Sequence, residues 1–189
     1  MIMKRRALLL LAAGMPALPL AVRAQAQMRP APPPEVREAL PDVRLVGAGE
    51  FRFFGLSVYE ARLWAPPGPL DPDYLRQPLA LELRYARTLK GESIAERSVD
   101  EMRRAGPLDE GRASEWLALM RRAFPDVSAG ERLTGLSEPS GRVRFLHNGR
   151  PTAETQDAEF ARRFFGIWLA PSTSAPALRR QLLGPELRT

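Results

Sequence analysis

Hydrophobic positions fall into two rhythms along this chain. Residues 43–48 and 51–64 are dense in Val, Phe, Tyr and Leu and predict two strands, with Gly47 and Gly49 marking the bend between them. Ala65-Pro66-Pro67-Gly68-Pro69 ends the second strand. Residues 79–87 alternate: Leu79, Leu81, Leu83, Tyr85 and Arg87 share one face, and Ala80, Glu82, Arg84 and Ala86 the other. That pattern predicts a strand with one face on the core and one toward water. The rhythm then lengthens to helical spacing. Residues 92–104 carry Ile94, Val99 and Met102 on a narrow stripe, and residues 110–124 repeat Ala113, Trp116, Leu117, Met120 and Phe124 more strongly. Acids at the start and arginines at the end of the second helix match its dipole, and Pro125 stops it. Strands follow over 131–137, 142–147 and 152–155, with Asn148-Gly149 as a hairpin turn. Asp157 is placed to cap a helix reaching residue 169, and residues 175–183 form a last helix ending at Gly184. Strands, helices, strands, helices: this segregation predicts an α+β fold, an antiparallel sheet with helices packed on one face.

The first residues follow a different pattern. Lys4, Arg5 and Arg6 precede an apolar stretch, and Ala24-Gln25-Ala26 is a cleavage pattern, the layout of a secretory signal peptide over residues 1–26. Pro16 and Pro19 interrupt a stretch already short for a membrane span. Export to a bacterial periplasm is expected, by the general route or, given Arg5-Arg6, by the twin-arginine route. Residues 27–41 then read as a proline-rich tether, 42–184 as the folded domain and 185–189 as a tail.

This partition changes the meaning of the composition. The whole chain has 189 residues and a formal charge of +6, which invites a nucleic-acid partner. Residues 1–26 hold four basic residues and no acid, so the remainder carries +2 and that partner is not expected. A length of 189 is short for a barrel of alternating strands and helices, which takes roughly 250 residues. Without cysteine, disulfides, thiol catalysis and iron–sulfur clusters drop out, and a single histidine cannot build a multi-histidine zinc site. No cofactor or metal is implied, no stable membrane insertion is expected once the signal is removed, and the oligomeric state is open.

Few residues carry recognisable chemistry. Gly47-Ala48-Gly49 fails as a dinucleotide loop because a strand follows it and Arg52 stands at the third glycine position. His147 precedes a turn, and no G-x-S-x-G element accompanies it. Arg87 stands out, because alternation sets it on the apolar face after Leu83 and Tyr85. A guanidinium there either takes a carboxylate partner or ligand or reaches water at the strand end. Arg52 and Tyr59 lie on a strand apolar on both faces, so a bulge after Gly49 would decide the direction of Arg52.

Several segments coincide with one family. Leu45-Val46-Gly47-Ala48-Gly49-Glu50, with Val58-Tyr59 eight residues on, resembles the opening of chalcone isomerase-fold proteins. Phe164-Phe165-Gly166-Ile167-Trp168-Leu169 and Leu182-Leu183-Gly184 resemble the C-terminal signature of their exported bacterial branch, and Arg144-Phe145-Leu146-His147-Asn148-Gly149 fits the preceding hairpin. The resemblance implies an open-faced β-sandwich with a cleft between sheet and helices. Family enzymes cyclise chalcones by intramolecular conjugate addition with an arginine holding the phenolate, and related plant proteins bind fatty acids through an arginine and a tyrosine. In this chain the enzyme arginine maps to Phe51, with Arg52 one place later, and the cleft threonine maps to Phe54. The enzymes' tyrosine and asparagine on the helix after the third strand have no counterpart, since residues 91–124 contain neither type.

The expected function is therefore non-catalytic binding of a small apolar or fatty-acid-like ligand. Arg87 or Arg52 would hold an acidic head, Tyr85 or Tyr59 would assist, and Leu81, Leu83, Phe54 and Trp116 would form the wall. The alternative is an isomerase, an intramolecular lyase acting on a flavonoid-like or unknown substrate. A scaffold of the cell envelope is a third reading, expected to show a broad exposed apolar patch.

Overall fold

The computed structural model describes residues 30–184. The expected signal segment, residues 27–29 of the tether and the tail lie outside them. In chain order the elements are α1 (Pro34–Ala39), β1 (Arg44–Phe53), β2 (Leu56–Ala65), β3 (Leu79–Tyr85), α2 (Gly91–Arg104), α3 (Glu110–Ala123), β4 (Arg132–Ser137), β5 (Arg142–His147), β6 (Arg150–Gln156), α4 (Ala158–Leu169) and α5 (Pro176–Leu183). A single 3-10 turn lies at Tyr74–Arg76.

The strands form one six-stranded antiparallel sheet in the order β1-β2-β3-β4-β5-β6. Alternation decides its two faces. Leu63, Leu81, Leu83, Leu133, Val143 and Phe145 are buried on the inner face against Met102, Met120, Phe160, Phe165 and Leu182 of α2 to α5. The fold is thus α+β, with four helices on one face of an antiparallel sheet. Asp157 caps α4 as expected, accepting from the Glu159 and Phe160 amides. Asn148 and Gly149 take φ 49° and 84°, the left-handed pair that a two-residue hairpin turn requires.

Four expectations need correction. The bend between the first two strands is at Phe54-Gly55, not at Gly47 and Gly49. Those two glycines make room for a helix instead: a Cβ on Gly47 would lie 2.1 Å from the Gln181 carbonyl oxygen, and one on Gly49 2.1 Å from the Gln181 Oε1. The third strand stops at Tyr85, so Arg87 lies just beyond it.

The outer face of β3 is not solvated as expected, for Ala80 and Glu82 are both buried. What covers it is α1, which forms within the expected tether. Val36 and Leu40, one helical turn apart, pack on Trp64, Ala80, Leu136 and Leu146. The Glu35 carboxylate meets Arg132 at 2.8 Å, and the Trp64 indole N–H donates to Glu82 at 3.0 Å. Burial pushes the Glu82 carboxyl above the ordinary range, against the pull of that indole and of Arg62 and Arg132. The chain therefore joins the fold before Asp42.

Candidate functional site

The inner face is not packed solid. A cavity of about 320 Å³ lies between the β1–β5 part of the sheet and helices α2 and α4, within the size range of small-molecule sites. Its wall is mostly apolar: Leu81, Leu83 and Leu133 from the sheet, Ile94 from α2, and Phe124, Phe164 and Trp168 from the other side. The strand period supplies the sheet residues at every second position, and α4 supplies Phe164 and Trp168 at i, i+4.

Two tyrosines stand in this wall. Tyr59 and Tyr85 are cross-strand partners on β2 and β3, with ring centroids 5.9 Å apart and edge to face. Phe51 stacks on Tyr59 at 5.1 Å. The Trp168 indole N–H donates to the Tyr59 hydroxyl at 3.0 Å, which leaves the phenolic proton of Tyr59 available. Tyr85 is 3% exposed, and its hydroxyl makes no hydrogen bond among the described residues. Burial pushes both phenols well above the ordinary tyrosine value; for Tyr59 the Trp168 bond pulls the other way without offsetting it. Both are hydrogen-bond donors at neutral pH.

Solvent-exposed residues of the lining mark the mouth: Phe53, Arg87, Ser93, Arg97 and Ser174. Arg97 is committed, because it pairs with the buried Glu101 at 2.5 Å, and Arg104 reaches the same carboxylate at 3.5 Å. Arg87 has no ion pair or hydrogen bond from its side chain among the described residues. Its backbone is nonetheless fixed. The Ala86 amide donates to the Val58 carbonyl at 2.9 Å, and Leu89 and Val127 exchange bonds of 2.9 and 3.0 Å. A free guanidinium on a held backbone, beside an apolar cavity, suits one anionic group.

Of the residues singled out in the sequence, Tyr59, Tyr85, Leu81, Leu83 and Arg87 line this cavity. Arg52, Phe54 and Trp116 do not. A register shift does occur between Phe51 and Arg52, but Phe51 and Phe53 take the inner side, and Arg52 turns outward to bond Glu50 at 2.8 Å. Phe54 sits on the hairpin tip, 90% exposed. Trp116 is buried against Phe160 and donates its indole N–H to Asp157 at 3.0 Å, so it anchors α3 to the start of α4. Sequence reasoning missed Ser93, Arg97 and Glu101. They lie on α2 at i, i+4 and i+8 beside the apolar stripe, and the hydrophobic pattern marks only that stripe.

His147 faces Glu131 at 3.5 Å and is not part of the lining. Among the described residues no cluster of His, Cys, Asp or Glu could hold a metal ion, and no helix is long and apolar enough to cross a membrane.

Three comparisons bear on this arrangement. An uncharacterized protein of Haemophilus influenzae is 30% identical over 139 residues, covering 74% of this chain and 67% of its own. The crystal structure of an Arabidopsis thaliana fatty-acid binding protein superposes with a TM-score of 0.59 at 13% identity, covering 76% of this chain and 87% of the other. At that identity the likeness is one of fold. The sequence model of the chalcone isomerase-like family matches residues 32–184. The chain belongs to the chalcone isomerase-like family, and its six-stranded antiparallel sheet with helices on the inner face is that family's fold.

Proposed function

We propose that this protein binds a small acid with an apolar body, such as a fatty acid, in the cavity between sheet and helices. The observation that carries the reading is the unpaired Arg87 at the mouth of a mostly apolar, half-open cavity. The carboxylate would take the Arg87 fork, and the Tyr85 hydroxyl, which lacks a partner, would donate to a polar atom of the ligand. The chain would fill the space between Leu83, Leu133 and Phe164. The fatty-acid binding protein of the same fold supports this class of ligand. Both phenols are held protonated by burial, which fits donors better than bases. We place the protein in the bacterial periplasm, after removal of residues 1–26, on the strength of the basic, apolar and small-residue segments in that order.

The test is displacement of a fluorescent fatty acid from the purified protein by unlabelled palmitate. Saturable, displaceable binding is expected. Arg87→Ala should weaken it by roughly tenfold or more, the usual worth of a hydrogen bond to a charged group. Tyr85→Phe should weaken it less. Binding that is absent, or unchanged in Arg87→Ala, ends this reading.

A further inference from the structure

The β1–β2 tip sets three large apolar side chains in water: Phe53 at 52%, Phe54 at 90% and Leu56 at 58% exposure. Other large apolar residues in the described chain are buried or half-buried, so this cluster is local. Folding alone does not account for it. Phe54 has φ 48° and Gly55 φ 78°, a turn in which Asn-Gly is the comfortable pair. A bulky aromatic in that region is strained, and this one is also fully hydrated. On both counts Asn at 54 would serve the local structure better than Phe. The Phe53 and Phe54 rings pack edge to face at 4.5 Å, so the tip presents a joined aromatic surface.

The tip stands at the end of the sheet that carries the cavity mouth. Phe53 belongs to both: it is exposed on the tip and it lines the cavity. With Tyr85 opposite Tyr59 and the Ala86 amide on the Val58 carbonyl, the register sets Arg87 level with the base of the tip. An apolar finger thus projects beside an uncommitted cation and an opening into an apolar cavity. Three side chains on a convex hairpin cannot supply the roughly 800 Å² per partner of a stable protein interface. They are enough for shallow insertion among acyl chains, with the cation at the level of lipid phosphates.

We propose that the 53–56 tip docks into the surface layer of an anionic lipid bilayer, and that docking brings the cavity mouth onto the membrane. The route it offers is continuous: an acyl chain leaving the bilayer would pass along Phe53 into the cavity without crossing water. This second step rests on the ligand reading above. The docking step does not.

Phe54→Trp in the full chain makes a reporter, because Trp64, Trp116 and Trp168 are all buried. The vesicles are phosphatidylethanolamine with phosphatidylglycerol, with and without brominated acyl chains, and the chain lacking the substitution serves as the blank. The reporter emission should shift to the blue on vesicles and be quenched by the brominated lipid. Adding Leu56→Asp should weaken its partitioning at least about tenfold. An unquenched reporter, or partitioning unchanged by Leu56→Asp, overturns the proposal. So does a blue shift that grows with protein concentration without vesicles, which would assign the tip to a second copy. Phe54→Asn with Leu56→Asp, in which both altered side chains lie off the cavity wall, should keep palmitate displacement intact while docking is lost. Docking in a chain that binds no fatty acid supports the tip and removes only the ligand reading.

Discussion

The Asp157 carboxylate accepts from the Glu159 and Phe160 amides, from the Trp116 indole at 3.0 Å and from Arg112, which also lies 5.2 Å over the Trp116 ring. One residue therefore starts α4, satisfies a buried N–H on α3 and joins the two helices behind the cavity. Burial works to raise its pKa, but these donors and Arg112 outweigh it, so the carboxyl is held below the ordinary aspartate value. The sign follows: this contribution is present above the unfolded aspartate pKa and is lost as pH falls through the lowered folded value. Asp157→Ala should cost about 2–3 kcal/mol, a lost cap plus an orphaned indole N–H. Asp157→Asn, which still accepts the amide bonds, should cost about half of that. Urea unfolding at neutral pH checks the order, and equal losses in the two variants would show that the cap is not the dominant part. Asp157 was legible as a cap because its side-chain type and position suffice. Trp116 was misread as a cavity wall because its partner lies 41 residues on, where no local pattern reaches.

At the scale of elements, local signals carried the turn at Asn148-Gly149, the period of α3 and the inward leucines of β3. Signals that depend on a distant partner were missed or given another meaning. Gly47 and Gly49 read as a bend, since glycine usually marks one. Their use is close approach of α5 to β1, visible only once α5 has docked. Helix α1 was hidden inside a proline-rich stretch, though Pro34 stands at its first position and Glu35 in its first turn. Those are helix-start features, and the Val36–Leu40 spacing agrees with them. The two glycines make a graded prediction. A methyl group on Gly47 meets the backbone carbonyls of Gln181 and Leu182 at 2.1 and 2.5 Å, so the helix itself must move. On Gly49 it first meets the flexible end of the Gln181 side chain, which can swing away, and then Leu178 Cδ1 at 2.8 Å. Gly47→Ala should destabilise by about 3 kcal/mol and Gly49→Ala by about 1 kcal/mol. Thermal unfolding should rank them in that order; the reverse ranking would mean that α5 is not seated on the Gly47 backbone.

For the whole molecule, the cavity matters because of how many elements meet in it. Residues of five strands, of α2 and α4, and of the segments after α3 and before α5 all line it. A ligand there replaces contacts that an apolar void withholds from its lining. It also spans the join between sheet and helices, so a bound ligand favours the folded molecule as a whole over the unfolded chain. Binding should then appear as stability by mass action. A fatty acid at a hundred times its dissociation constant should add about 2.7 kcal/mol, or roughly 5–10 °C in Tm for a domain of this size. At the same concentration, Arg87→Ala with tenfold weaker binding should gain only about 1.4 kcal/mol. The halved gain is informative because Arg87 is exposed and unpaired, so its loss should leave the ligand-free Tm close to that of the parent chain. Differential scanning calorimetry of both chains, each with and without palmitate, reads all four values. Equal gains in the two chains would detach Arg87 from the ligand. No gain in either would remove fatty acids as occupants of the space between sheet and helices.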